Sequence, residues 1–173
     1  MGEKLMALSK LNGVFVATAT PFDETGALDL PSYRKFCAYL IEQGVHGLVP
    51  CGTTGETPTL DVKERREVIS AAVELANAKE LPAIAGCGGN ATEAVVDLIK
   101  EARDYGATAA LVATPYYNKP TPKGVLAHYE TLVKRGGLPI VLYNVPGRTS
   151  INVAPELMVE LFKFDEIIGV KEA

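Results

Sequence analysis

Residues 166–173 read EIIGVKEA. Two isoleucines, a glycine and a valine make a run too short for a helix and apolar enough for a buried strand. Lys171 then stands at its tip. Runs of the same kind recur upstream: VFVATAT at 14–20, GLVPC at 47–51, PAIAGC at 82–87, AALVAT at 109–114 and PIVLYNV at 139–145. Each is rich in valine, isoleucine or threonine, or is too short to turn through a helix. Their nearly continuous apolar character marks strands covered on both faces, as in a parallel sheet.

The intervening stretches carry helical periodicity and helix punctuation. Asp29 with Pro31 opens a helix that Gly44 closes. Asp61 and Glu64 have capping-box spacing ahead of REVISAAVELANA, and Asn90 and Glu93 repeat it ahead of AVVDLIKEARDYG. Thr121-Pro122 and Ala154-Pro155-Glu156 open two more. A strand followed by a helix about every thirty residues is the period of βαβ construction. Two α/β architectures fit, a doubly wound sheet and a (β/α)8 TIM barrel. The chain has neither GxGxxG after the first strand nor GxxxxGK[ST], so nothing favours a nucleotide-binding open sheet. The expected fold is the barrel, with residues 1–173 as one N-terminal part of a catalytic domain holding about six βα units. A complete barrel takes about 250 residues. The expectation is therefore a barrel cut after strand six, as a piece of a longer protein or a natural truncation.

The totals narrow the function. Of 173 residues, 47% are hydrophobic and 22% charged, with a net charge of −4, the profile of a soluble domain with material for a core. Mild acidity without a Lys/Arg cluster argues against nucleic acid. No apolar run approaches the roughly eighteen residues of a membrane span. MGEKLMALSK reads as an ordinary start, which makes the cytoplasm the expected compartment. Cys37, Cys51 and Cys87 are too widely spaced for a zinc site and read as buried free thiols. His46 and His128 alone offer little to a histidine metal site.

In a barrel, chemistry gathers in the loops that follow the strands. Those loops here hold Thr20-Pro21, CGTTGET, GCGGN, TPYYNKPTP, YNVPGRTS and Lys171. Strict alternation puts Ile167, Gly169 and Lys171 on one strand face, and Val141 with Tyr143 on one face of the preceding strand. If both faces point inward, lysine and tyrosine meet in the barrel mouth. Taken alone, a lysine at a strand end more often snorkels to solvent. Desolvated, it becomes an amine able to form an imine with a ketone, and a neighbouring phenol can move its protons. The Gly-Thr-Thr-Gly turn can point N–H groups at a small carboxylate. Arg148 can hold a second carboxylate in a bidentate grip. The pair Tyr116-Tyr117 reads first as packing or interface.

GTTGE, TPYYNKP, YNVPGRT and GVKEA, in this order and spacing, resemble the pyruvate-dependent class I aldolases related to dihydrodipicolinate synthase and N-acetylneuraminate lyase. The likeness runs from about Val14 to Ala173. It implies a (β/α)8 barrel with a helical C-terminal region, assembled as a homotetramer, a dimer of dimers. It implies an imine between Lys171 and pyruvate, with no further cofactor and no metal. The N–H groups of Thr53 and Thr54 would hold the pyruvate carboxylate. Tyr143 would pass protons through the Thr53 hydroxyl to Tyr117, which in the family reaches into a neighbouring subunit's site. An arginine after YNVP, here Arg148, binds the carboxylate of aspartate semialdehyde in the dihydrodipicolinate synthase branch, whereas sialic acid lyases lack it. The partners implied are therefore pyruvate and a carboxylate-bearing aldehyde. Two other readings stand beside this one: an aldolase or dehydratase for a sugar-derived 2-oxo acid, and a silent truncated member.

Overall fold

The computed structural model describes residues 11–173. The opening MGEKLMALSK, read above as an ordinary start, lies outside them. Six strands form in the runs named above: β1 (Phe15–Ala17), β2 (Gly47–Val49), β3 (Ile84–Gly86), β4 (Ala109–Ala113), β5 (Ile140–Asn144) and β6 (Ile167–Glu172). All ladders are parallel, in the order β1-β2 and β3-β4-β5-β6. A single parallel bridge between Leu48 and Ala83 joins the two sets, supported by Gly86 N–H donating to Pro50 O at 2.9 Å. Six consecutive parallel strands with sequential neighbours are the wall of a (β/α)8 barrel through its sixth unit.

The helices lie where the punctuation placed them: α1 (Leu30–Glu42), α2 (Val62–Asn77), α3 (Thr92–Asp104), α4 (Pro122–Gly136), α5 (Pro146–Thr149) and α6 (Pro155–Leu161). Asp29 accepts from Ser32 N–H at the start of α1, and Thr121 from Gly124 N–H at the start of α4. Both halves of the Asp61/Glu64 capping box form, a feature that stabilises a helix by about 1 kcal/mol. The expected box at Asn90 and Glu93 does not form. Helix α3 starts one residue later, with Ala91 as an uncapped N-cap. Glu93 is instead turned outward to a two-point contact with Arg135 of α4. Arg34–Glu74 and Arg66–Glu101 likewise link α1 to α2 and α2 to α3. These exposed pairs add register between neighbours more than stability.

Strand residues divide between two layers. Ala110, Val112, Ile140, Leu142 and Ile167 pack outward against the helices, with Val68, Ile99, Tyr129 and Leu132. Val49, Ile84, Leu111, Tyr143, Val145 and Ile168 fill the barrel interior. Ile167 therefore does not share the face of Lys171, contrary to strict alternation. Ile140 pairs with Ile167 but Val141 pairs with Gly169, so Ile168 is an extra residue in β6. This bulge shifts the strand's phase by one residue, letting Ile167 seal the helix layer while Lys171 still faces inward.

His128 of α4 is 4% exposed; its Nδ1 lies 2.9 Å from Thr92 Oγ1, while Nε2 is buried with no hydrogen-bond partner among the described residues. Burial pushes its pKa down to about 4 from 6.5. Below pH 6.5 the unfolded chain takes up a proton that the folded chain resists. The His128 contribution is thus complete above that pH and is lost as pH falls towards 4. Urea midpoints at pH 7 and 4.5 should show His128→Gln losing about 2–3 kcal/mol less than the parent between the two conditions.

Candidate active site

Strands β5 and β6 bring two of the named residues together by register alone. Tyr143 pairs with Lys171 across the ladder. Both side chains turn to the interior, and the lysine Nζ stands 4.4 Å from the centroid of the Tyr143 ring. The tyrosine is 7% exposed. Its hydroxyl lies 3.4 Å from Thr53 Oγ1, a contact at the outer limit of hydrogen-bond length.

Thr53 reaches this position through the turn after β2. Residues Thr53–Gly55 form one 3₁₀ turn, with Gly52 extended before it. The amides of Thr53 and Thr54, first in the turn, have no intrahelical acceptor. Thr20 Oγ1 donates to Gly55 O at 2.8 Å and ties the turn to the end of β1. An added Cβ at Gly55 would meet Thr18 O at 3.0 Å, so glycine permits this close approach. The Thr54 side chain is exposed.

A cavity of about 360 Å³ opens beside the Tyr143 hydroxyl, walled by Thr53, Arg65, Tyr116, Tyr143, Val145 and Arg148 among others. Arg148 stands on α5, the PGRT segment, which is a helical turn rather than the open loop expected from sequence. Thr149 Oγ1 lies within 3.2 Å of Val145 O and 3.0 Å of Ile151 O, and fastens that turn. Thr54, Tyr117 and Lys171 do not line the cavity.

The adjacent tyrosines are separated by their backbone. Tyr117 has φ +71°, is 89% exposed and does not line the cavity, whereas Tyr116 does. The chain by itself does not complete a Tyr143–Thr53–Tyr117 relay. Arg65 is a site residue that sequence reasoning missed, because it reaches in from helix α2 rather than from a loop. Its Nη2 donates to Gly86 O at 2.7 Å. The one available signal was its place in the first turn of the helix that follows GTTGE.

Cys51 also lines the cavity, yet it offers no nucleophile. Burial pushes its thiol up to about 11, and that of Cys87 up to about 12, far from the range of a reactive thiolate. All three cysteines are free and buried, as expected. Among the described residues no group of three His, Cys, Asp or Glu side chains could hold a metal ion, and no helix is long and apolar enough to cross a membrane.

A lysine and a tyrosine paired on adjacent barrel strands, with a threonine hydroxyl beside them, is the arrangement that GTTGE, YNVP and GVKEA led us to expect. Residues 10–173 match the dihydrodipicolinate synthetase family. The chain belongs to that family. It is 46% identical over 161 residues to 4-hydroxy-tetrahydrodipicolinate synthase of Thermodesulfovibrio yellowstonii, covering 93% of this chain and 55% of that protein. It is 48% identical over 162 residues to the same enzyme of Maridesulfovibrio salexigens, with the same coverage. The structure is similar to that of chloride-inhibited dihydrodipicolinate synthase from Acinetobacter baumannii complexed with pyruvate, at a TM-score of 0.91 and 43% identity over 94% of this chain and 56% of that one. The chain thus spans about half the length of the family members it matches.

Proposed function

We propose that the chain carries the imine-forming centre of a 4-hydroxy-tetrahydrodipicolinate synthase. The observation that supports it most is the placement of Lys171 Nζ over Tyr143, whose hydroxyl neighbours Thr53. In this reading the Thr53 and Thr54 amides hold the carboxylate of pyruvate, which presents its ketone to Lys171. The amine attacks C2, and the carbinolamine loses water to give an iminium. Tyr143 supplies the proton that leaves with the hydroxyl and later accepts one, with Thr53 as its neighbour in the relay. The long Tyr143–Thr53 contact is one that a bound carboxylate can tighten.

Loss of a proton from the pyruvate methyl gives an enamine. Its carbon attacks the aldehyde of L-aspartate 4-semialdehyde, forming the new C–C bond as the aldehyde oxygen takes up a proton. The amine of that substrate then displaces Lys171 from C2 and closes the ring. Arg148, at the cavity wall, grips its carboxylate. The exposed Tyr117, itself at positive φ, serves a second copy of the chain in a homo-oligomer rather than this site. The residues proposed for the site, Lys171, Tyr143, Thr53, Thr54, Arg148 and Tyr117, need no resident cofactor or metal for these steps. The protein acts in lysine and diaminopimelate biosynthesis, in the cytoplasm.

The test is condensation measured with pyruvate and L-aspartate 4-semialdehyde. Turnover supports the reading; turnover only with a sugar-derived aldehyde would move the chain to another branch of aldolases. Arg148→Ala should raise the KM for the semialdehyde about 10–100-fold, the worth of a charge-assisted hydrogen bond, and leave pyruvate binding unchanged.

A further inference from the structure

Behind the Tyr143–Lys171 pair, on the opposite face of the same two strands, lies a second pair. Asn144 is the ladder partner of Glu172, as Tyr143 is of Lys171. Asn144 is 2% exposed, and every polar atom of its side chain is engaged. Its Oδ1 accepts from Val153 N–H at 3.1 Å. Its Nδ2 donates to Asn152 Oδ1 at 2.9 Å and to Glu172 Oε1 at 2.8 Å. The orientation of the amide is fixed by chemistry, because a backbone N–H can only donate and must meet the oxygen. The backbone carbonyl of Asn144 also accepts from Ala173 N–H at 3.1 Å.

One buried amide therefore ties together the tip of β5, the tip of β6 and the segment that follows the Arg148 turn. The position matters because β6 is bulged at Ile168, three residues before Lys171. A flexible lysine on such a strand needs a fixed backbone if its amine is to meet a ketone held from β2.

We propose that Asn144 is a positioning residue for imine formation, acting through Glu172 to hold the backbone of Lys171 in line with Tyr143. It touches neither substrate nor reacting atoms. This rests on the reading of Lys171 as the imine-forming residue. The carboxylate turn at Thr53 follows another strand, β2, so loss of the Asn144 latch should slow the chemistry without weakening pyruvate binding.

The experiment is single-turnover trapping of the pyruvate imine with borohydride, at several pyruvate concentrations, for the parent chain and three variants. Asn144→Asp keeps the shape and the Val153 contact but turns a donor into an acceptor facing Glu172. It should lower the limiting rate at least tenfold with half-saturation unchanged. Asn144→Asp with Glu172→Gln restores a donor–acceptor pair in the reverse sense and should recover the rate to within about threefold of the parent. Glu172→Ala, at an exposed position, removes the latch without burying a charge and should lower the limiting rate about three- to tenfold. A parent-like rate in Glu172→Ala overturns the proposal, whether or not Asn144→Asp folds. So does a loss in Asn144→Asp that the double variant fails to rescue. An untrappable parent chain would remove the reading of Lys171 itself, and the proposal with it.

Discussion

Lys171→Met is expected to abolish pyruvate adduct formation and condensation while leaving the fold in place. Methionine keeps the length and apolar stem of lysine, so β6 retains its packing and its ladder with β5. What it lacks is the amine, and nothing else nearby replaces it. The cysteine at the cavity has its thiol pushed up to about 11 by burial, and among the described residues no other lysine stands over the Tyr143 ring. An imine route stabilises the enamine by many kcal/mol relative to deprotonating free pyruvate, so the expected loss exceeds about 10⁴-fold. Melting temperature and far-ultraviolet circular dichroism, measured beside activity, separate this chemical loss from unfolding.

Gly86→Ala is expected to have the largest effect on stability. A Cβ at this position would lie 1.8 Å from Cys51 O, 2.5 Å from Cys51 C and 3.1 Å from Gly52 N. Those are backbone atoms, so no rotamer change relieves the overlap. The strand cannot retreat either, because Gly86 N–H is bonded to Pro50 O at 2.9 Å and Gly86 O to Arg65 at 2.7 Å. The expected cost is about 3 kcal/mol or more, at the upper end for overpacking. It should be read as a lowered urea midpoint with an unchanged slope. Since Cys51 and Gly52 lead directly into the Thr53 turn, the folded fraction should also bind pyruvate more weakly.

These two positions mark what a sequence can and cannot disclose. The strands were legible because both faces of each are covered, which leaves short apolar runs with helical stretches between them. Asp29, Asp61 and Thr121 announced their helices because a cap is a local device, read within three or four residues. The Asn90 box failed for the complementary reason. Glu93 had a competing partner in Arg135, 42 residues away, which no local pattern reveals. Alternation put Ile167, Gly169 and Lys171 on one face without settling that it points inward, and Ile167 lies in the other layer because a one-residue bulge leaves no clear trace in an apolar run.

The site shows the same division. Tyr143 and Lys171 sit at the tips of sequential strands, so their meeting follows from topology. Tyr116 lines the cavity, and Tyr117 beside it, at φ +71°, does not. Alternation alone gives no access to that angle. Arg65 enters the cavity from a helix, and only the packing of α2 against the end of β3 puts it there.

The most direct test of the account is the mass of the chain after incubation with pyruvate and borohydride, followed by peptide mapping. The account predicts a mass increase of one reduced pyruvate per chain, carried by Lys171 alone. An adduct on another lysine, or no adduct on a chain shown to be folded, would contradict it.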